Sequence, residues 1–126
     1  MILISDDSTA KESQVPTSNR KKKTVAEIEY ELLHEKPGFY TQEELQFETH
    51  VRHKEVQKEN REEEKERFFG KSRACMRASA LPKRFGWGIY FDSNGKAELV
   101  PVESAKYQDL QKRENIKLYK AMKSKR

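Results

Sequence analysis

With a single cysteine, Cys75, the chain can form no intrachain disulfide and no structural zinc site built on several thiolates. No apolar run approaches the roughly 20 residues that span a bilayer. The opening Met1-Ile2-Leu3-Ile4 gives way at once to Ser5-Asp6-Asp7, too short a start for a signal peptide. Glycine is scarce, and no glycine-rich phosphate loop, Gly-x-Ser-x-Gly elbow or His-Glu-x-x-His helix is present. These absences remove a membrane anchor and the best-marked enzyme classes, and they lead us to expect a cytoplasmic protein that uses no cofactor. Apolar residues make up 34% of the 126 positions and charged residues 37%. That is charge-rich beside an average of about a quarter, so we expect one domain with a thin core and long solvated faces.

The net charge of +5 hides an uneven distribution. Residues 41–70 carry nine Glu against six Lys and Arg, whereas residues 71–86 carry five Lys or Arg and no acid. The last fifteen residues carry seven bases and one acid. An acidic middle is thus flanked by two basic segments, the kind of asymmetry that suggests an anionic partner.

Local patterns place the elements. Ile2-Leu3-Ile4 reads as the end of a strand. Residues 5–23 are polar, contain Pro16, lack an apolar period and end in Arg20-Lys21-Lys22-Lys23, so they read as a loop or arm. Thr24-Val25-Ala26-Glu27 and Thr41-Gln42-Glu43-Glu44 are capping boxes, each opening a helix, with Phe39 or Tyr40 as a hydrophobic staple before the second. Val25, Ile28, Leu32 and Leu33 form the apolar stripe of the first helix, which Lys36-Pro37-Gly38 stops. The second helix becomes a solvated, charge-alternating stretch, broken near Asn60 and closed by Gly70. Residues 73–81 alternate as a strand ended by Pro82. Residues 87–102 form a β-hairpin around Asn94-Gly95. Ser104 caps a last helix through Tyr107 and Leu110, Ile116 to Met122 adds a short helical piece, and residues 123–126 form a basic frayed tail. The expected fold is therefore α+β: a small antiparallel sheet built on the hairpin, joined by the 73–81 strand, with helices packed on one face.

Four groups of residues carry candidate chemistry. Arg73, Arg77, Lys83, Arg84, Phe85 and Trp87 form a basic and aromatic stretch. Arginine forks there could hold a phosphate or carboxylate, and an exposed tryptophan could stack on a base. The alternative is that Trp87 belongs to the core and the arginines pair with helix glutamates. The 20–23 run and the tail from Lys112 could together meet nucleic acid. His50 and His53, three apart on a helix, could face one metal with Glu48 or His34 as third ligand, although histidines on a charged helix are usually solvent-facing, and we assign no metal. Cys75, beside Arg73 and Arg77, would be an activated nucleophile if a base lay near it, and otherwise a buried, inert thiol.

The chain also resembles a family of small bacterial proteins defined only as a domain of unknown function. The resemblance lies in Lys23-Thr24-Val25-Ala26 with Tyr30, Phe39-Tyr40-Thr41, Arg73 to Ser79, Lys83-Arg84-Phe85-Gly86-Trp87-Gly88-Ile89 and Val102-Glu103-Ser104. It covers nearly the whole chain, and the Lys-Arg-aromatic-Gly-Trp-Gly block is its most specific part. It implies a bacterial cytoplasmic protein, places Met1 inside the family's first strand and transfers no catalytic residue. We expect a non-enzymatic binding or regulatory module whose contact site is Arg73, Arg77, Lys83, Arg84 and Trp87. The partner is an unidentified protein or another anion. Nucleic-acid binding and a small enzyme centred on Cys75 or a histidine are the rival readings.

Overall fold

The computed structural model describes residues 1–72 and 74–124. Both capping boxes form as their spacing implies. Thr24 accepts from the Glu27 N–H while the Glu27 carboxylate accepts from the Thr24 N–H, opening helix α1 (Val25–Glu35). Thr41 and Glu44 do the same for α2 (Gln42–His53). The α2 helix stops sooner than its charge pattern suggests, because Glu55 takes a left-handed φ of 53°. A 3₁₀ turn at Lys58–Asn60 then leads into α3 (Arg61–Phe69). Gly70 follows α3 in a right-handed conformation, so its conformational freedom is not used there.

Strand β1 (Ile2–Leu3) runs between β2 (Trp87–Phe91) and β4 (Tyr119–Lys120), and β3 (Ala97–Pro101) pairs with the far side of β2, giving the order β3-β2-β1-β4. The β2–β3 hairpin has the expected position, with Trp87 opposite Pro101 and Phe91 opposite Ala97. Gly95 supplies the left-handed residue of its turn at φ 76°, and the Asp92 carboxylate accepts the N–H groups of Asn94 and Lys96. The outer edge of β3 is covered where Gly38 N–H donates to the Ala97 carbonyl and Ala97 N–H to the Tyr40 carbonyl.

Three local expectations need correction. Residues 116–122 are not helical: Tyr119 and Ala121 donate their N–H groups to the carbonyls of Met1 and Leu3, making β4 a parallel neighbour of β1 and the sheet mixed. Residues 74–81 are not a strand either, and Arg73 lies outside the described residues. Met76–Ala78 form a 3₁₀ turn, and Ser79 caps the short helix α4 (Ala80–Arg84) by accepting from the Leu81 N–H. Pro82 falls in the first turn of α4, where the missing N–H would have no partner in any case. Finally, the helices cover both faces of the sheet. α1, α2 and α4 contribute Ile28, Leu32, Leu33, Leu45 and Leu81 to a core around Ile89 and Ala97. On the opposite face α5 (Ala105–Lys112), capped by Ser104, packs Tyr107 and Leu110 on Met1, Leu3 and Val100. Gly88 permits that approach, since a Cβ there would lie 2.7 Å from the Tyr107 ring.

Candidate functional site

The polar arm of residues 5–23 is held along the junction of α4 and β2. Ser5 N–H donates to the Pro82 carbonyl at 3.0 Å and Gln14 N–H to the Phe85 carbonyl at 2.8 Å. Ser13 donates its N–H and hydroxyl to the two Glu103 carboxylate oxygens. Trp87 joins this seam: its indole N–H donates to the Gln14 carbonyl at 2.8 Å, while its ring packs on the core edge with its centroid 5.4 Å from that of Tyr30. Trp87 is therefore half-buried, a core-edge residue that fastens the arm. Gly86, at φ 76°, allows the arm to pass; a Cβ there would lie 2.6 Å from the Glu12 carbonyl oxygen.

Beyond the seam the arm leaves a gap. A cleft of about 640 Å³ opens between arm residues 16–20, the first turns of α1, residues 74–80 and α4. Glu29 and Ser79 line it together with Arg20 and Arg84, both of which are exposed. A second hollow of about 540 Å³ adjoins it toward α2, also bordered by Glu29 and containing His50 and His53.

Glu29 is the electrostatic anomaly of the site. It lies on the inner side of α1 and is 6% exposed, yet it accepts a single hydrogen bond, from the Ser79 hydroxyl at 2.9 Å. Burial pushes its carboxyl up to about 7; the Ser79 hydroxyl works against that rise, and no cation contributes. Facing it across the second hollow, His53 is lowered by burial and then by the charges of Lys22, Lys54 and His50.

Of the five residues expected to make one contact surface, Arg73 lies outside the described residues, and Arg84 and Arg77 line different clefts. Arg84 lies on the first cleft, while Lys83 is half-buried with its N–H on the Ser79 carbonyl at 3.3 Å. Arg77 lines another cleft, of about 690 Å³, beside Tyr90, Phe91, Lys117 and Tyr119, and its Nε–H donates to the Lys120 carbonyl at 2.7 Å. Cys75 is exposed and borders both clefts. Among the described residues, Arg77, Lys83 and Arg84 join no ion pair. Neither cleft bordered by Cys75 has a histidine among its lining residues. His50 bonds Glu64 at 2.8 Å, and among the described residues no group of three or more His, Cys, Asp or Glu side chains converges as a metal site. No described helix is long and apolar enough to cross a membrane.

Sequence reasoning missed Glu29, Ser79 and the part played by Arg20. A signal for Glu29 was present: an acid four residues after Val25 and four before Leu33 sits within the apolar stripe of α1.

The model of a family of unknown function (DUF6157) matches residues 1–126, so the chain belongs to that family. No curated protein and no solved structure matches it.

Proposed function

We propose that this member of a family of unknown function is a non-enzymatic binding module for small anionic molecules. Its contact surface runs from Arg20 and Arg84, past Cys75, to Arg77. The observation that carries this reading is the cleft of about 640 Å³ with two exposed arginines, neither in an ion pair among the described residues. That volume suits a small-molecule site, and a guanidinium free of internal partners can fork onto a carboxylate or phosphate. Trp87 and Lys83 support the surface from behind, Trp87 by holding the arm. We place the protein in the bacterial cytoplasm, on the family resemblance.

The test is a titration with inorganic phosphate, acetate and citrate, followed by amide NMR shifts. Shifts concentrated at residues 16–20 and 74–85 are expected, and an Arg20→Ala, Arg84→Ala double variant should weaken binding at least tenfold. Arg113→Ala, which removes the pair with Asp109 on α5, should leave it unchanged. Uniform or absent shifts would remove the reading.

One observation favours nucleic acid as a second reading: Arg20 to Lys23 are four consecutive exposed cations, and the first of them, Arg20, lines the same cleft. Binding of a short single strand that does not fall steeply from low to moderate salt would dismiss it.

A further inference from the structure

The Glu29 carboxyl has fewer partners than its burial calls for. An ionised carboxylate can accept about four hydrogen bonds, and buried acids are ordinarily paired with a cation or ringed by N–H donors. Glu29 has neither. It sits in the middle of α1, away from the free N–H groups of the helix start. Its one donor, Ser79, is fully engaged, giving its hydroxyl hydrogen to Glu29 and taking the Leu81 N–H on its oxygen. For packing alone, a leucine or methionine would fill the same stripe without the desolvation penalty.

The placement of charge around the cleft suggests what completes the site. Arg20 and Arg84 are exposed on its lining, whereas Glu29 is buried in its floor. The arginines are too remote to lower the Glu29 carboxyl. An anion alone would satisfy the arginines and leave the acid as it is; a cation alone would do the reverse. We infer that the Glu29 carboxyl anchors an ammonium group, and that the cleft takes a small amino-acid-type zwitterion whose acid end meets Arg20 and Arg84. This inference rests on the anion-binding reading above and adds the second half of the ligand.

A proton linkage follows. An ammonium favours the ionised carboxyl, and a group titrating near 7 becomes about tenfold more ionised between pH 6 and pH 8. The charged or titratable groups facing Glu29 are Arg20, Arg84 and Cys75 on one side and His50, His53 and Lys54 on the α2 side.

The experiment compares β-alanine, 4-aminobutyrate and 6-aminohexanoate with propionate, butyrate and hexanoate by NMR titration of the full chain, the series covering a range of acid-to-amine spans. At pH 8 the best-fitting amino acid should bind at least tenfold more tightly than its deaminated partner. That advantage should shrink about tenfold at pH 6. In Glu29→Gln, which keeps an acceptor for Ser79, the advantage should vanish while the plain acid binds as before. Plain acids binding as tightly as the amino acids would overturn the inference and leave the anion reading standing. Binding by neither series would overturn both. A pH dependence that survives in Glu29→Gln would belong to another group and would also overturn the assignment.

Discussion

On the α5 face of the sheet a buried polar group is the Tyr107 hydroxyl, and it accepts the backbone N–H of Ile4 at 3.1 Å in a pocket that closes on Gly88. On the opposite face the corresponding group is Glu29, with one hydroxyl donor and open cleft beside it. The phenol is held by a fixed backbone partner, and Tyr107 lines none of the clefts described above. The carboxyl is buried as deeply, carries more desolvation and adjoins space for a small molecule. A polar atom answered by the chain itself belongs to the fold; one answered in part, beside free volume, is available to a ligand. The following perturbations test that contrast, beginning with the largest.

Removing core volume should separate the faces most clearly. Leu32 is 1% exposed in the larger cluster, and Leu32→Ala should destabilise by about 4 kcal/mol in urea unfolding. Leu110→Ala, in the five-residue cluster under α5, should lose about 3 kcal/mol, because the smaller cluster can collapse more easily around the gap. A larger loss at Leu110 would reverse the ranking of the two faces as sources of stability.

Glu29→Gln should move stability the other way. The native carboxyl titrates at about 7 against an ordinary value of 4.5, a difference worth roughly 3 kcal/mol. Because the folded value is the higher one, the contribution is intact below the ordinary value and is lost as pH rises through 7. The variant should therefore unfold at similar urea to the parent near pH 4.5 and be more stable by roughly 3 kcal/mol at pH 8. A gap that stays constant across that range would mean that Glu29 is not desolvated as described.

Much of the fold could be read in the residues, because its signals are local. The Thr24 and Thr41 capping boxes, the Ser104 cap and the Asp92-to-Gly95 turn each depend on side chains within a few positions, and each forms. What could not be read was settled at long range. Ala74 to Leu81 alternate well enough for a strand, but Ser79 bonds Glu29 fifty positions away and caps α4, so the chain turns instead. Ile116, Tyr119 and Met122 have helical spacing, yet the open edge of β1 draws the segment into an extended pairing with Met1 and Leu3. The candidate site was half visible. Arg84 was named for its charge, while Arg20 and Glu29 join it only through the path of the arm and the inward face of α1.

The closeness of the α5 face can be probed at Gly88. An alanine Cβ would meet the Tyr107 ring at 2.7 Å and Met1 Cε at 3.0 Å. The methionine end can move, but the packed ring cannot without lifting α5, so a loss of about 2 kcal/mol is expected. Near-parent stability would show that this face has slack after all, weakening its contrast with the cleft side.

Tyr107→Phe gives the smallest effect and the sharpest contrast with Glu29→Gln. The substitution keeps the ring against Gly88, Val100 and Leu110 and removes only the acceptor for the Ile4 N–H. Ile4 is half-buried, so water can reach part of the freed donor, and the loss should be about 1 kcal/mol. Burial raises the Tyr107 hydroxyl above its ordinary value of 10, so it stays neutral and the loss should be flat from pH 5 to pH 9. The Glu29→Gln difference should grow over the lower part of the same range. Parallel pH profiles for the two variants would dissolve the distinction between a polar group that the fold completes and one left for a ligand; a flat profile beside a rising one would establish it on stability alone, before any ligand is in hand.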